Sequence, residues 1–203
     1  TKGWGFKKLF EQYPQHLDAI ISYHYANGGM PRYDKFRHIY KEILKEPLSE
    51  EKFQQLCDGF SELVFERVVA CDFVPGAKEF LEQYHKIYKL YVVSGTPADE
   101  MERVVKAKGL GKYFQAVYGS PHDKGYWTKK ILVDEKLTAD EVIWVGDALS
   151  DWRAATESSI RFIGRFSAEH DVFKGKKIFL SIDDLQGLTR FLAGQDKTTT
   201  LKR

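Results

Sequence analysis

Three stretches of this chain put carboxylates, hydroxyls and a lysine where anion chemistry could be done. Val145-Gly146-Asp147-Ala148-Leu149-Ser150-Asp151 sets one carboxylate at the end of an apolar run and a second four residues on, one helical turn away. Two like charges at that spacing repel unless a hard cation or a lysine lies between them, and oxygen ligation with retained waters is what Mg²⁺ prefers. The plainer alternative is a solvated helix start. Val92-Val93-Ser94-Gly95-Thr96 offers two hydroxyls and a glycine whose backbone can approach an oxyanion closely. Gly119-Ser120-Pro121-His122-Asp123-Lys124-Gly125 adds Lys124, a cation able to neutralise a phosphate and steady nearby carboxylates. Taken singly, a loop lysine is more often a solvated charge, and His122 a loop polar group.

These stretches need elements to aim them. From Phe73 onward short apolar runs alternate with helical stretches, the pattern of βαβ units around a parallel sheet. Strands are expected at Leu90 to Val93, Ala116 to Tyr118, Val142 to Val145, Arg161 to Gly164 and Lys177 to Leu180. Helices should follow Pro75, carry Met101, Val104 and Val105, and span Thr128 to Glu135 and Asp183 to Leu192, with a disordered polar tail from Gly194. In such a sheet ligands bind outside the carboxyl ends of the strands, where all three polar stretches fall. The first third reads as helices only. Phe36, Ile39, Tyr40, Ile43 and Leu44, and then Phe53, Leu56, Cys57, Phe60, Leu63 and Val64, recur at helical spacing. Ser49 is placed to cap the second of these, and an earlier helix runs from Phe6 to Tyr25 with a break near Pro14.

Composition narrows the function. In 203 residues, 31 Lys and Arg stand against 29 Asp and Glu, a formal net charge of +2. That balance argues against a nucleic-acid or membrane-surface partner. No run approaches the length of a membrane span, and the start lacks the apolar stretch of a secretory signal, so a cytoplasmic address is expected. Cys57 and Cys71 show no ligand spacing and are expected as buried, reduced thiols.

Together these motifs resemble the haloacid-dehalogenase-like hydrolase superfamily, in the helical-cap branch typified by phosphoglycolate phosphatase and β-phosphoglucomutase. The likeness covers Phe73 to about Leu185 in motif order and spacing. It implies an α/β fold: a Rossmann-like parallel sheet core flanked by helices over residues 73–203, with an inserted all-helical cap over 1–72. The resemblance implies that Ser94 bonds the transferring phosphoryl group, with Gly95 and Thr96 beside it. It further implies Lys124 as the loop lysine, with Lys129 a weaker candidate, Asp147 as the Mg²⁺ ligand and Asp151 as its supporting carboxylate. Phe73-Val74-Pro75-Gly76-Ala77 looks like the re-entry from cap to core. Gly28-Gly29-Met30-Pro31-Arg32 is similar to the cap loop that meets substrate, so Arg32 is expected either to grip a second anionic group or to be a solvated surface arginine.

The family's nucleophile is the first Asp of an Asp-x-Asp motif on the first strand, and no such motif occurs here. It is expected in roughly 10 to 20 residues upstream of Thr1, a strand of about five residues with its approach and exit. The expectation is a Mg²⁺-dependent phosphatase of a small phosphorylated metabolite, working through an aspartyl-phosphate as a monomer or homodimer. The rivals are a phosphomutase and an inactive relative that binds a phosphorylated ligand or a protein partner.

Overall fold

The structure is a computed structural model that describes residues 2–166 and 172–200. Its N-terminal elements are α1 (Lys2–Leu9), α2 (Leu17–Ala26), α3 (Arg32–His38), a π-helical continuation (Ile39–Leu44) and α4 (Glu50–Ala70). Then follow α5 (Ala77–Tyr84), β1 (Tyr91–Pro97), α6 (Ala98–Ala107), β2 (Ala116–Ser120), α7 (Lys124–Glu135), β3 (Ile143–Gly146), α8 (Leu149–Glu157), β4 (Arg161–Arg165), β5 (Leu180–Ile182) and α9 (Leu185–Thr200). Among the described residues no strand precedes β1 and no helix is long and apolar enough to cross a membrane.

The chain divides into two compact units. The first comprises Thr1–Cys71, Val92–Gly111 and Val117–Asp123; the second comprises Asp72–Tyr91, Lys112–Ala116 and Lys124–Arg203. In the first unit, the helical periodicity closes a core rich in aromatics, with Phe6, Phe10, Phe36, Phe60 and Val64 buried among Ile20, Ile39 and Leu56. Ser49 caps α4 by accepting a hydrogen bond from the Lys52 N–H at 3.2 Å, and Glu50 and Glu51 sit in the favourable first turn. β1 and β2 form a two-stranded sheet, and β1 runs straight into α6.

In the second unit, β3, β4 and β5 form a parallel sheet in that order, with Ile143 opposite Arg161 and Gly146 opposite Gly164. β4 is the middle strand, and Phe162, Ile163 and Gly164 are buried as a two-sided sheet requires. Ile163 packs with Phe80, Tyr84, Ile182, Leu188 and Leu192, while Phe162 packs with Ala155, Ile160 and Phe173. The fold is α/β, as expected.

Three expectations need correction. β5 begins at Leu180, so residues 177–179 approach the strand and do not form it. The C-terminal helix does not stop at Leu192 but extends to Thr200, because turns anchored by buried Leu188 and Leu192 propagate at one backbone bond per added residue. Residues 201–203 of the expected tail lie outside the described residues. Cys57 is buried, but Cys71 is exposed. α4 ends at Ala70, and the extended backbone of Cys71 carries it off the apolar face.

Candidate active site

At the end of β3 the chain turns through Asp147 and Ala148 into α8. Asp151, one turn into α8, folds back on the strand end and is 5% exposed. Its Oδ2 accepts from the Ala148 N–H at 3.1 Å and its Oδ1 from Trp144 Nε1 at 3.3 Å. Lys124 Nζ completes the set, 2.6 Å from Asp151 Oδ1. A Cβ on Gly146 would lie 2.4 Å from the Asp151 side chain, so only glycine lets the carboxylate pack against the strand end. The two acids therefore have different environments. Asp151 is engaged by a cation and two N–H donors. The Asp147 side chain is 63% exposed, with Arg165 Nη1 3.6 Å away.

Lys124 is the first residue of α7, which begins four residues earlier than its apolar spacing suggests. Thr128, 2% exposed, donates its hydroxyl to the Lys124 carbonyl at 2.6 Å and fixes that first turn. Lys129 lies on the exposed side of the same helix, and His122 is exposed.

The hydroxyl stretch is on β1 in the first unit. Ser94 Oγ donates to Thr96 Oγ1 at 3.1 Å and accepts from the Thr96 N–H at 3.1 Å, so the strand end is pinned by its own side chains. Lys2 Nζ donates to Thr96 Oγ1 at 2.7 Å. A Cβ on Gly95 would meet the Gly29 carbonyl at 2.5 Å, which makes Gly95 the point where the Gly28-Gly29 loop approaches the strand.

Arg32 is neither solvated nor free. It opens α3 at 5% exposure, with Nη2 donating to both Glu100 oxygens at 2.8 and 2.7 Å. Nη1 donates to Ser61 Oγ at 2.6 Å, and Ser61 donates in turn to Glu100 Oε2 at 2.7 Å. The guanidinium lies 4.7 Å above the Phe60 ring.

A carboxylate held by a lysine and a second carboxylate left exposed at the same strand end form a set suited to phosphoryl chemistry. The family profile described as haloacid dehalogenase-like hydrolase matches residues 6–165. The chain belongs to that family. No curated protein sequence matches it. A predicted phosphoglycolate phosphatase of Haemophilus somnus superposes at TM-score 0.71 with 16% identity, covering 94% of this chain and 90% of its own. A haloacid dehalogenase-like hydrolase of Bacteroides fragilis gives 0.72 and 15%, covering 92% and 90%. A hydrolase of the same type from Bacillus subtilis, solved bound to magnesium, gives 0.68 and 16%, covering 95% and 91%.

The donor chemistry fits such a metal. Mg²⁺ is bound by one or two carboxylates together with waters and phosphate oxygens, and Asp147 is an oxygen donor with its side chain largely exposed. No group of three or more potential metal-binding side chains occurs among the described residues.

Trp144, Lys2, Ser61 and Glu100 are absent from the sequence reading. Trp144 carries a faint signal, since an indole at the third position before Asp147 on a buried strand needs a hydrogen-bond acceptor. Glu100 carries none, because an acid in a helix's first turn is expected to be solvated.

Proposed function

We propose that this haloacid dehalogenase-like hydrolase is a Mg²⁺-dependent phosphatase acting on a small phosphorylated metabolite through an aspartyl-phosphate. The observation that carries the reading is Lys124 Nζ seated 2.6 Å from Asp151, with Asp147 exposed at the same strand end. Family membership and the phosphoglycolate phosphatase among the structurally similar proteins support it.

Asp147 would hold Mg²⁺, which when bound offsets the charge of the phosphoryl oxygens. Lys124 donates to the same charge and also neutralises Asp151, so that two carboxylates one turn apart coexist without mutual repulsion. Asp151 fixes the lysine and the first turn of α8. The family resemblance gives Ser94, with Gly95 and Thr96 beside it, the bond to a phosphoryl oxygen, for which its hydroxyl turns away from Thr96 Oγ1. The helical segment over 1–72 acts as the cap. Nucleophilic attack is assigned to no residue of this sequence, since no Asp-x-Asp occurs in it.

The test is release of phosphate from an aryl phosphate by the natural full-length protein, with and without Mg²⁺. Turnover that needs Mg²⁺ and disappears in excess chelator supports the reading. Turnover undiminished in chelator overturns the metal assignment, and no turnover on any phosphate monoester leaves the binding module as the correct reading.

A further inference from the structure

The parallel sheet of the second unit ends in a row of charged residues. Asp147 follows the last residue of β3, Arg165 is the last residue of β4, and Asp183 follows the last residue of β5. β4 lies between the other two strands, with Gly146 beside Gly164 and Arg165 beside Ile182, so the arginine stands between two acids in the strand order. All three lie at the carboxyl edge, the side on which such sheets bind ligands.

The arginine is hinged on one neighbour and leans on the other. Its Nε donates to the Asp183 carbonyl at 3.3 Å, and its Nη1 stands 3.6 Å from Asp147 Oδ2. The second distance is too long for a hydrogen bond, and it is made in reach of solvent, with the Arg165 side chain 26% exposed. Asp151 shows the opposite arrangement, a carboxylate enclosed by Lys124 and two N–H donors. Arg165 is therefore placed to lend its charge to Asp147 and to give the carboxylate up while its own Nε stays bonded.

We propose that Arg165 couples metal to phosphate at this strand end, competing with Mg²⁺ for Asp147 until a phosphate group draws the guanidinium away. The inference rests on the reading of Asp147 as the Mg²⁺ ligand and adds a residue that the reading does not use. A guanidinium charge beside Asp147 offsets part of the attraction that the carboxylate exerts on a divalent cation. A phosphate fits the guanidinium fork with two parallel hydrogen bonds, which the long contact to Asp147 does not supply. Once held there, it neutralises the competing charge and offers the oxygen ligands that Mg²⁺ favours. Phosphate then tightens Mg²⁺, and by linkage Mg²⁺ tightens phosphate by the same factor. Metal and substrate load together, and Asp147 has little affinity for the metal alone. The ligand chemistry is a phosphate dianion, inorganic or esterified.

The test is calorimetric titration of Mg²⁺ into the natural full-length protein, with and without inorganic phosphate, which reads binding without turnover. Without phosphate, Arg165→Met should bind Mg²⁺ about fivefold more tightly than wild type, the effect of removing one exposed charge contact. With saturating phosphate, wild type should gain about tenfold in Mg²⁺ affinity and Arg165→Met about twofold. Arg165→Lys keeps the charge and loses the fork, so it should match wild type without phosphate and gain less from phosphate. Mg²⁺ affinity of a folded Arg165→Met equal to or below wild type overturns the competition, and an equal phosphate gain in both proteins overturns the coupling. If Arg165→Met does not fold, Arg165→Lys decides alone, and a wild-type phosphate gain there overturns the proposal. Absence of phosphate turnover with these shifts intact overturns only the phosphatase reading. Absence of Mg²⁺ binding in every protein, with and without phosphate, overturns the metal assignment of Asp147 and the coupling with it.

Discussion

Two buried ion pairs, one in each unit, look alike and are built differently. Lys124–Asp151 is 2.6 Å long with side chains 12% and 8% exposed, and Arg32–Glu100 is 2.7 Å long with both at 5%. The first is assembled around one strand end: Asp151 is also held by the Ala148 N–H and Trp144 Nε1, all within one strand, turn and helix. The second joins residues 68 positions apart, with Ser61 of a third helix between them. A pair anchored by its own backbone can lose its cation without leaving the carboxylate unpartnered, because Asp151 keeps its N–H donors. A pair anchored only by its partners is a strut between the elements that carry them.

The comparison can be broken by removing one member of each pair. Glu100→Ala leaves the Arg32 guanidinium buried without an anion and should lower the unfolding free energy by about 3–5 kcal/mol, read by chemical denaturation. A loss under about 1 kcal/mol would mean that Arg32 finds water or Asp99, and the strut would be gone from the account.

Lys124→Met should act the other way round. Asp151 retains its N–H donors and the side chain is nearer solvent, so the stability loss should be smaller than that of Glu100→Ala. Turnover of an aryl phosphate should fall by about 100-fold, as for other lost donors to a transferring charge. Near-wild-type turnover would move the assignment to Lys129.

A subtler contrast lies between these charges and a buried cation that has no carboxylate partner among the described residues. Lys35 is 3% exposed, and its Nζ donates to the His24 carbonyl at 3.0 Å and lies 3.2 Å from His24 Nδ1. Burial, and then the nearby Lys2 charge, lower the Lys35 pKa from 10.5 to about 8. Burial, and then Lys35, lower that of His24 from 6.5 to about 3. Both folded-state values lie below the unfolded ones, so between them the unfolded chain binds more protons and stability rises with pH. The melting temperature should therefore fall as pH drops from 6.5 toward 3, and the Lys35 contribution should rise from about 8 to 10.5. Lys35→Met should flatten the alkaline rise and His24→Gln the acid fall. Unchanged slopes would mean that the two groups are hydrated.

Much of this was legible from local pattern. The helical stripes through Phe36 to Leu44 and Phe53 to Val64, the Ser49 cap, and the runs at 91–93 and 143–145 are short-range features whose period and turn residues act within a few positions. The acidic motif also is local. Its glycine admits the Asp151 side chain and its spacing returns Asp151 to the strand end, so the split between an engaged and an exposed carboxylate follows from Gly146 to Asp151 with only Trp144 and Lys124 added.

What the tertiary structure alone decided is the fate of single charges. Arg32 in a Gly-rich bend and Glu100 in a helix's first turn each carry the signature of a solvated side chain, and nothing within several residues of either distinguishes a buried pair from two surface ions. Their burial depends on α3, α4 and α6 meeting, and the contacts that set it, Phe60 under the Arg32 guanidinium among them, come from other elements of the chain. Lys35 is the same case, a lysine in a helix that is polar by sequence and enclosed by Phe6 and His24 in the fold. Propensity and period act over one or two turns, whereas desolvation depends on every element that packs around the group. The sequence therefore determined which elements form and where the acidic strand-end motif lies, and only the packing determined which charges are buried.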